Sequence, residues 1–505
     1  MSVSQSNSPA PLSEVVTRLS PLGLGGLCAV LGGLAGLGHP PLSWPQLTVL
    51  SLVALFAARP WALGAARAAL IGWAYGVGYF AVSLHWIVEP FLVDVARHGW
   101  MAPFAISLMA GGLALFWGAA FALAARWPSA PFLALTWALA EFARSHLFGG
   151  FPWAMIPHAF IDHAAYQAAA FLGPHGLTLA LLLAASLCGL AFRAHWARLG
   201  GVALLIAALV PGPQESPRAP DQTGDAPLVR VVQPNAEQDL KWREDMIPVF
   251  FERKLAATAA APKVDLVLWP EVALPTWLET GDALFEQAAA RAQGAQLLIG
   301  AQRREGGAAF NSLAQIDAAG RLTDIYDKFH LVPFGEYMPL GALFSRLGIY
   351  GLAANEGFGF AAGGGPAILQ VPGIGAVQPL ICFESIFARH ILRGDARPRV
   401  LAVLTNDAWF GQWGGPEQHL DQARARAIEF GLPVVRSANT GISAIIDAQG
   451  RVTASLALGE AGHVDAALPA ARPPTLFARF GEALFAVAAL FALAASFAVS
   501  RFEFD

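Results

Sequence analysis

The sequence predicts a multi-span α-helical membrane domain, followed by an α/β domain and a closing apolar span. Three observations carry this. Hydrophobic residues make up 55% of the 505 and charged residues only 13%, with a mean hydropathy of +0.50, against the roughly 25% charge of a soluble globular chain. Apolar runs recur through residues 1–213 and once more near the C-terminus, and a membrane span takes about 20 such residues. Between them, short β-type runs alternate with helical ones, the pattern of a sheet covered by helices.

The predicted spans are 21–38, 42–58, 62–88, 101–125, 131–148, 168–192 and 200–211, and then 477–499. The polar tail before them ends at Arg18, and no small-residue cleavage site follows, so the first run reads as an uncleaved span. Arginines set the expected orientation: Arg18, Arg59 with Arg67, Arg126, Arg193 with Arg198, and Arg501 fall in the tails and in every second connection. Positive residues stay inside, so seven crossings place the α/β domain outside, in a bacterium the periplasm. The expected boundaries are 1–213 for the membrane domain, 214–472 for the α/β domain and 473–505 for the last span and tail.

Small residues such as Gly25-Gly26, Gly32-Gly33, Gly72, Gly76, Gly78 and Gly111-Gly112 are expected to let helices approach closely. Glu141 and Arg144 lie one turn apart on the fifth span and are expected to pair, with a functional role as the alternative. The aromatic and histidine-rich 151–163 stretch fits an interfacial belt or a lipid entrance, and both stay open.

Charge and cysteine usage exclude several function classes. A net charge of -4 and a pI near 6.3 give no basic surface for nucleic acid. Three cysteines without a CxxC, and twelve histidines without an HExxH, support neither a disulfide framework nor a metal site, and no cofactor is expected.

In the α/β segment the expected strands are 228–232, 265–269, 296–300, 312–316, 367–371, 376–381, 400–405 and 433–437, with helices at 246–258, 282–293 and 418–429. Three strand ends carry reactive side chains. Trp269-Pro270-Glu271 ends one, Asp327-Lys328 opens a second polar stretch, and Ile381-Cys382-Phe383-Glu384 ends a third. Cys28 and Cys188 sit in apolar runs and read as packed thiols, whereas Cys382, in a mixed polar stretch, fits a buried thiol or a nucleophile. Acyl transfer through a thioester needs these residue types. A carboxylate takes the thiol proton, and a cation favours the thiolate and steadies the oxyanion. Glu271 suits the first task and Lys328 the second. The glycine-rich 357–365 stretch lacks the strand-loop-helix setting of a phosphate cradle and reads as a mobile loop near the cleft.

The order Glu271, Lys328, Cys382 in these phrases resembles the nitrilase superfamily, whose domain is an αββα sandwich. Two further phrases, Lys328-Phe329-His330-Leu331-Val332-Pro333-Phe334-Gly335-Glu336-Tyr337 and Thr405-Asn406-Asp407-Ala408-Trp409-Phe410-Gly411, together with the flanking spans, make the chain similar to the apolipoprotein N-acyltransferases of the bacterial inner membrane.

This resemblance implies a Glu271-Lys328-Cys382 triad and a ping-pong reaction. Cys382 would take the sn-1 acyl chain of a phospholipid, typically phosphatidylethanolamine. The α-amine of an S-diacylglyceryl cysteine on an apolipoprotein would then receive it. A membrane-tethered amidase is the alternative enzyme, and a monomer is expected. Glu336 and Glu384 match supporting glutamates of the family, and Phe383 stands where some members carry tyrosine. Trp242 matches a tryptophan near the substrate entrance, with an interfacial anchor as the other reading. Asn406 and Trp409 line the site or shape its loop, while His330 and His419 are assigned to structure.

Overall fold

The computed structural model describes residues 19–188, 195–212, 226–339 and 359–503. The tail before residue 19, Arg193, the 213–225 link and residues 357–358 of the glycine-rich stretch lie outside the described residues, as does the side chain of Arg501.

Numbering the helices of ten or more residues, the N-terminal region holds α1 (Pro21–Gly36), α2 (Pro45–Ala57), α3 (Ala65–Ser83), α4 (Ala102–Ala124), α5 (Ala130–His146), α6 (Ala169–Cys188) and α7 (His195–Ala208). The starts of α1 and α5 are encoded locally. Ser20 accepts from Gly23 N–H and Ser129 from Phe132 N–H, each with proline in the first turn.

Three stretches, Pro45–Leu63, Val95–Ala124 and Ala169–Cys188, are long and apolar enough to cross a membrane among the described residues. Ala65–Ser83 with His85–Leu92 makes a fourth if this pair, bent by 70°, counts as one. The apolar stretches of α1, α7 and the closing helix α11 (Ala483–Glu503) are shorter, and α5 carries Glu141, Arg144 and His146.

Glycine contacts divide the small residues sharply. A Cβ on Gly32 would stand 1.8 Å from Tyr75 O and one on Gly78 1.8 Å from Ala29 O, so α1 and α3 touch backbone to backbone. Gly26, Gly111 and Gly112 meet nothing within 4 Å.

The α/β region is two six-stranded sheets. One runs in the order β12-β1-β2-β3-β4-β5, the other β11-β10-β9-β8-β7-β6. The strands are β1 (Leu228–Gln233), β2 (Leu266–Leu268), β3 (Gln296–Glu305), β4 (Ala308–Ile316), β5 (Leu322–Asp327), β6 (Leu369–Val371), β7 (Gly375–Ile381), β8 (Val400–Thr405), β9 (Val434–Ala438), β10 (Ser443–Ile446), β11 (Val452–Leu456) and β12 (Gly462–Ala467). Side chains alternate along each strand. Val229, Val231, Leu266 and Leu268 therefore meet Val377, Ile381, Ala402 and Leu404 between the sheets. On the outer face of the first sheet, Val267, Trp269 and Leu297 pack with α8 (Ile247–Ala259) and α9 (Asp282–Ala292). On the second, Leu401, Val403 and Val434 pack under α10 (Gly415–Phe430). The result is an αββα sandwich.

α10 also faces the membrane-type helices. Gln418 Nε2 donates to Pro40 O at 2.8 Å and Ser83 O at 3.0 Å, while its Oε1 accepts from Trp153 Nε1 at 2.8 Å and Trp86 Nε1 at 3.3 Å. Phe383, Ile386, Phe387, Ala425 and Ile428 join the apolar core of those helices.

Candidate active site

Glu271, Lys328, Cys382 and Asn406 all lie just past the carboxyl ends of their strands, β2, β5, β7 and β8, where open parallel sheets place ligands. Gly300 is what lets the Glu271 loop lie against β3, because a Cβ there would be 2.2 Å from Pro270 O. Its carbonyl accepts Ala273 N–H at 2.7 Å and Leu274 N–H at 3.0 Å, which holds the loop in place.

The three residues predicted from strand ends converge. Lys328 Nζ is 2.8 Å from Glu336 Oε1 and 3.6 Å from Glu271 Oε1, with its side chain 1% exposed. Glu271 Oε1 accepts from Asn311 Nδ2 at 2.7 Å and Oε2 from the backbone N–H of Asn406 at 2.8 Å. Glu336 Oε1 also accepts from Asn311 at 3.2 Å, and Oε2 from Val332 N–H at 2.8 Å. Both carboxylates are therefore fixed, and Asn311 bridges them. Burial alone would lower the Lys328 pKa, but Glu336 and Glu271 overturn this and raise it above the usual lysine range, so the residue stays cationic.

Cys382 is buried and adopts φ +51, a left-handed conformation that costs a non-glycine residue about 1 kcal/mol or more. The strain falls at the corner where β7 turns into the short helix Cys382–Ile386. Burial pushes the thiol well above its ordinary range, and the Glu271 charge adds to this. Lys328 and a hydrogen bond with Thr405 oppose it. At neutral pH the resting group is a thiol, within electrostatic reach of the Glu271 carboxylate and the Lys328 ammonium.

The supporting residues divide by what they touch. Glu384 is fully buried and accepts from Ile381 N–H at 2.7 Å, Phe329 N–H at 2.8 Å, His330 N–H at 3.2 Å and Tyr326 Oη at 2.8 Å. It ties the segment after Lys328 to the residue before Cys382, and burial raises its pKa to about 7 against those donors. Phe383 stacks on Phe151 at 6.4 Å and meets His330 and Phe387 edge-on. Asn406 holds Glu271 through its backbone, donates from Nδ2 to Gln238 Oε1 at 2.9 Å and accepts from Asn439 Nδ2 at 2.8 Å. Trp242 is 46% exposed and shares a cleft wall with Glu271. Trp409 is half-buried in the turn Asp407–Phe410 and forms no hydrogen bond to the triad among the described residues. The described part of the glycine-rich stretch, expected to be mobile, is pinned: Phe360, Ala361 and Gly363 N–H groups donate to Glu336 O, Ala309 O and Lys328 O.

Residues not foreseen complete the site. Asn311 contacts Glu271 directly, and the Thr405 hydroxyl, which bears on the Cys382 thiol, donates to Asp407 Oδ1 at 2.8 Å. Beneath Cys382, His419 Nδ1 lies 2.8 Å from Asp407 Oδ1 and its Nε2 3.3 Å from Cys382 O, and Arg436 donates to Asp407 Oδ2. Burial would raise the Asp407 pKa, but Arg436 and His419 reverse this and hold it at about 2. His419, assigned to structure, thus supports the corner that holds Cys382. Glu141 and Arg144 do pair, at 2.8 Å and fully buried. Arg144 Nη1 also donates to Phe151 O and, at 2.9 Å, to Trp153 O. Phe151 stacks on Phe383, and Trp153 stacks on His419 at 5.4 Å.

Residues 221–472 match the family model for carbon-nitrogen hydrolases, and residues 31–187 that for the apolipoprotein N-acyltransferase N-terminal domain. The apolipoprotein N-acyltransferase of Rhodopseudomonas palustris is 37% identical over 490 residues, covering 90% of this chain and 91% of that protein. That of Caulobacter vibrioides is 39% identical over 445 residues, 82% of each. A CN-hydrolase superfamily protein of known structure from Xanthomonas campestris aligns at 21% identity over 52% of this chain and 96% of its own, with a TM-score of 0.35. The identity to the two curated relatives spans both the helical region and the sandwich, and on that ground this chain belongs to the apolipoprotein N-acyltransferase family.

Proposed function

We propose that the protein moves an acyl chain from the sn-1 position of a phospholipid, phosphatidylethanolamine in the first instance, to the N-terminal α-amine of an S-diacylglyceryl cysteine on an apolipoprotein. The observation that carries this is the meeting of Glu271, Lys328 and Cys382 at three strand ends, with Phe383, next to the nucleophile, packed on Phe151 of the helical region. A thiol whose neighbours Phe383, Ile386 and Phe387 pack into the apolar helical region fits lipid substrates. Exposed Trp242 and Phe334, on segments that flank the site, fit them as well.

In the first half-reaction Glu271 takes the Cys382 proton as sulfur attacks the ester carbonyl. Lys328, with the Phe383 backbone N–H, stabilises the tetrahedral oxyanion. Collapse breaks the ester C–O bond, Glu271 returns the proton to the leaving glycerol oxygen, and lysophospholipid departs from a Cys382 thioester. In the second, the α-amine attacks the thioester, Glu271 takes a proton from nitrogen, and the thiolate leaves and is reprotonated as the amide forms.

Within this reading the membrane domain is 1–213, the catalytic domain 214–472 and the closing span and tail 473–505. The enzyme sits in the bacterial inner membrane with the sandwich in the periplasm. It works as a monomer, since one chain supplies every group named above. Incubation with a phospholipid and a diacylated lipopeptide is expected to yield N-acylated peptide; release of free fatty acid or ammonia alone contradicts the reading.

A further inference from the structure

We propose that the cleft beside Glu271 binds the phosphate of the donor phospholipid between the ammonium groups of Lys241 and Lys254, an inference that rests on the acyl-transfer reading above. The cleft is open to solvent and is lined by both lysines with Trp242, Ile247, Phe250 and Leu274. Lys254 is 5% exposed, and its Nζ donates to Ala273 O at 2.6 Å. Lys241 Nζ donates to Glu271 O at 3.4 Å and lies 5.5 Å from the centre of the Trp242 ring. Among the described residues, neither lysine forms an ion pair with a carboxylate; their partners are neutral carbonyls and aromatic rings, with Lys254 Nζ 5.8 Å from the ring centres of Phe251 and Trp269.

Two neighbouring cations without an anion, Lys254 buried and Lys241 half-buried, are costly, because loss of water penalises each charge and each repels the other. Burial and the Lys241 ammonium lower the Lys254 pKa to about 7; burial lowers that of Lys241 to about 8 against the pull of Glu271. An anion between them relieves both penalties. Glu271 does not compete for the place, since its carboxylate is engaged by Asn311, Lys328 and the Asn406 N–H while its carbonyl meets Lys241. The apolar walls suit the glycerol and chain portions of a lipid better than a free anion. Bound there, the phosphate would anchor the donor by the part that leaves as lysophospholipid.

The test uses the full-length enzyme and reads Cys382 acylation by intact mass and initial rate, with phosphatidylethanolamine and with diacylglycerol of the same chains. Losing one charge-assisted contact, about 1.5–3 kcal/mol, lowers kcat/KM for the phospholipid roughly 10- to 150-fold. Lys254→Met is expected to show this, Lys241→Met similarly, while acylation from diacylglycerol stays within about threefold. Equal losses on both donors would mean a structural role and overturn the proposal, as would no loss on either. Inorganic phosphate that inhibits wild type but not Lys254→Met supports an anion site. The same inhibition without donor discrimination assigns the cleft to free phosphate and overturns the lipid headgroup. If wild type forms no thioester from phospholipid at all, the acyl-transfer reading fails; if wild type and variants acylate alike, only the cleft assignment fails.

Discussion

The Lys328 ammonium lies closer to Glu336, at 2.8 Å, than to Glu271, at 3.6 Å. Glu336 is thus the main counter-charge that keeps the lysine protonated, and under the proposed mechanism this leaves Glu271 for proton transfer with Cys382. Glu336→Gln keeps the shape and removes the charge. Its loss of one charge-assisted bond is expected to lower kcat about 10- to 100-fold. Because Glu336 raises the Lys328 pKa, the alkaline limb of the pH–rate profile should also move to lower pH. An unchanged alkaline limb would remove Glu336 from this role.

Asp407 supplies a pH signature. Its folded pKa of about 2 lies below the ordinary 3.8, so its contribution is complete above pH ~4 and is lost as pH falls through about 2. The size is about 2 kcal/mol at 1.36 kcal/mol per unit. Denaturation followed from pH 5 to 2 should show this slope in wild type. Asp407→Asn should lack it and be destabilised at neutral pH by about 3–5 kcal/mol, as the buried Arg436 loses its partner. A variant that keeps the wild-type slope contradicts the assignment.

Gln418 fastens the sandwich to the helices through four hydrogen bonds. Gln418→Ala leaves two indole N–H groups and two carbonyls without these partners, at a cost of about 2–4 kcal/mol. Thermal unfolding in detergent should register it. A change below about 0.5 kcal/mol, the range of an inert surface site, would show that the junction is held by other contacts.

For the buried Glu141–Arg144 pair, single changes and the double change should part company. Arg144→Met is expected to cost about 3–5 kcal/mol and to loosen the 151–153 segment, whereas Glu141→Leu with Arg144→Met should recover part of the loss, since no charge is left unpaired. A double variant as unstable as the sum of the singles contradicts the pairing argument.

Much of the site was legible because its residues stand at strand ends. A run such as Val377 to Ile381 reads as β from its own composition, and the reactive residue follows at once. Asn311 was hidden for the opposite reason. It lies inside β4, where a polar residue looks like solvent-facing alternation, and only the folding of the Glu271 and Glu336 loops over it creates the contact. Asp407, His419 and Arg436 come from a turn, a helix and a strand, so no local spacing announces their network. Strands β5, β10, β11 and β12 also escaped the sequence reading. β5 and β12 carry aspartates (Asp324, Asp327 and Asp465) that interrupt any apolar run, β10 is four residues long, and all four are recruited by antiparallel pairing with a neighbouring strand. Of the eight predicted spans, 42–58, 101–125 and 168–192 fall on helices long and apolar enough to cross a membrane, 62–88 falls on the pair bent by 70°, and the break between Ser83 and His85 was not legible because the apolar run continues through it.

The central claim is that Cys382 carries the acyl chain between two lipids. Intact mass spectrometry of the protein incubated with one phospholipid bearing different sn-1 and sn-2 chains tests it most directly. The expected result is a mass gain of the sn-1 fatty acid less water, localised to Cys382, absent in Cys382→Ala and discharged by a diacylated lipopeptide. No adduct on wild type, the same adduct on Cys382→Ala, or an adduct that a lipopeptide leaves in place would contradict it.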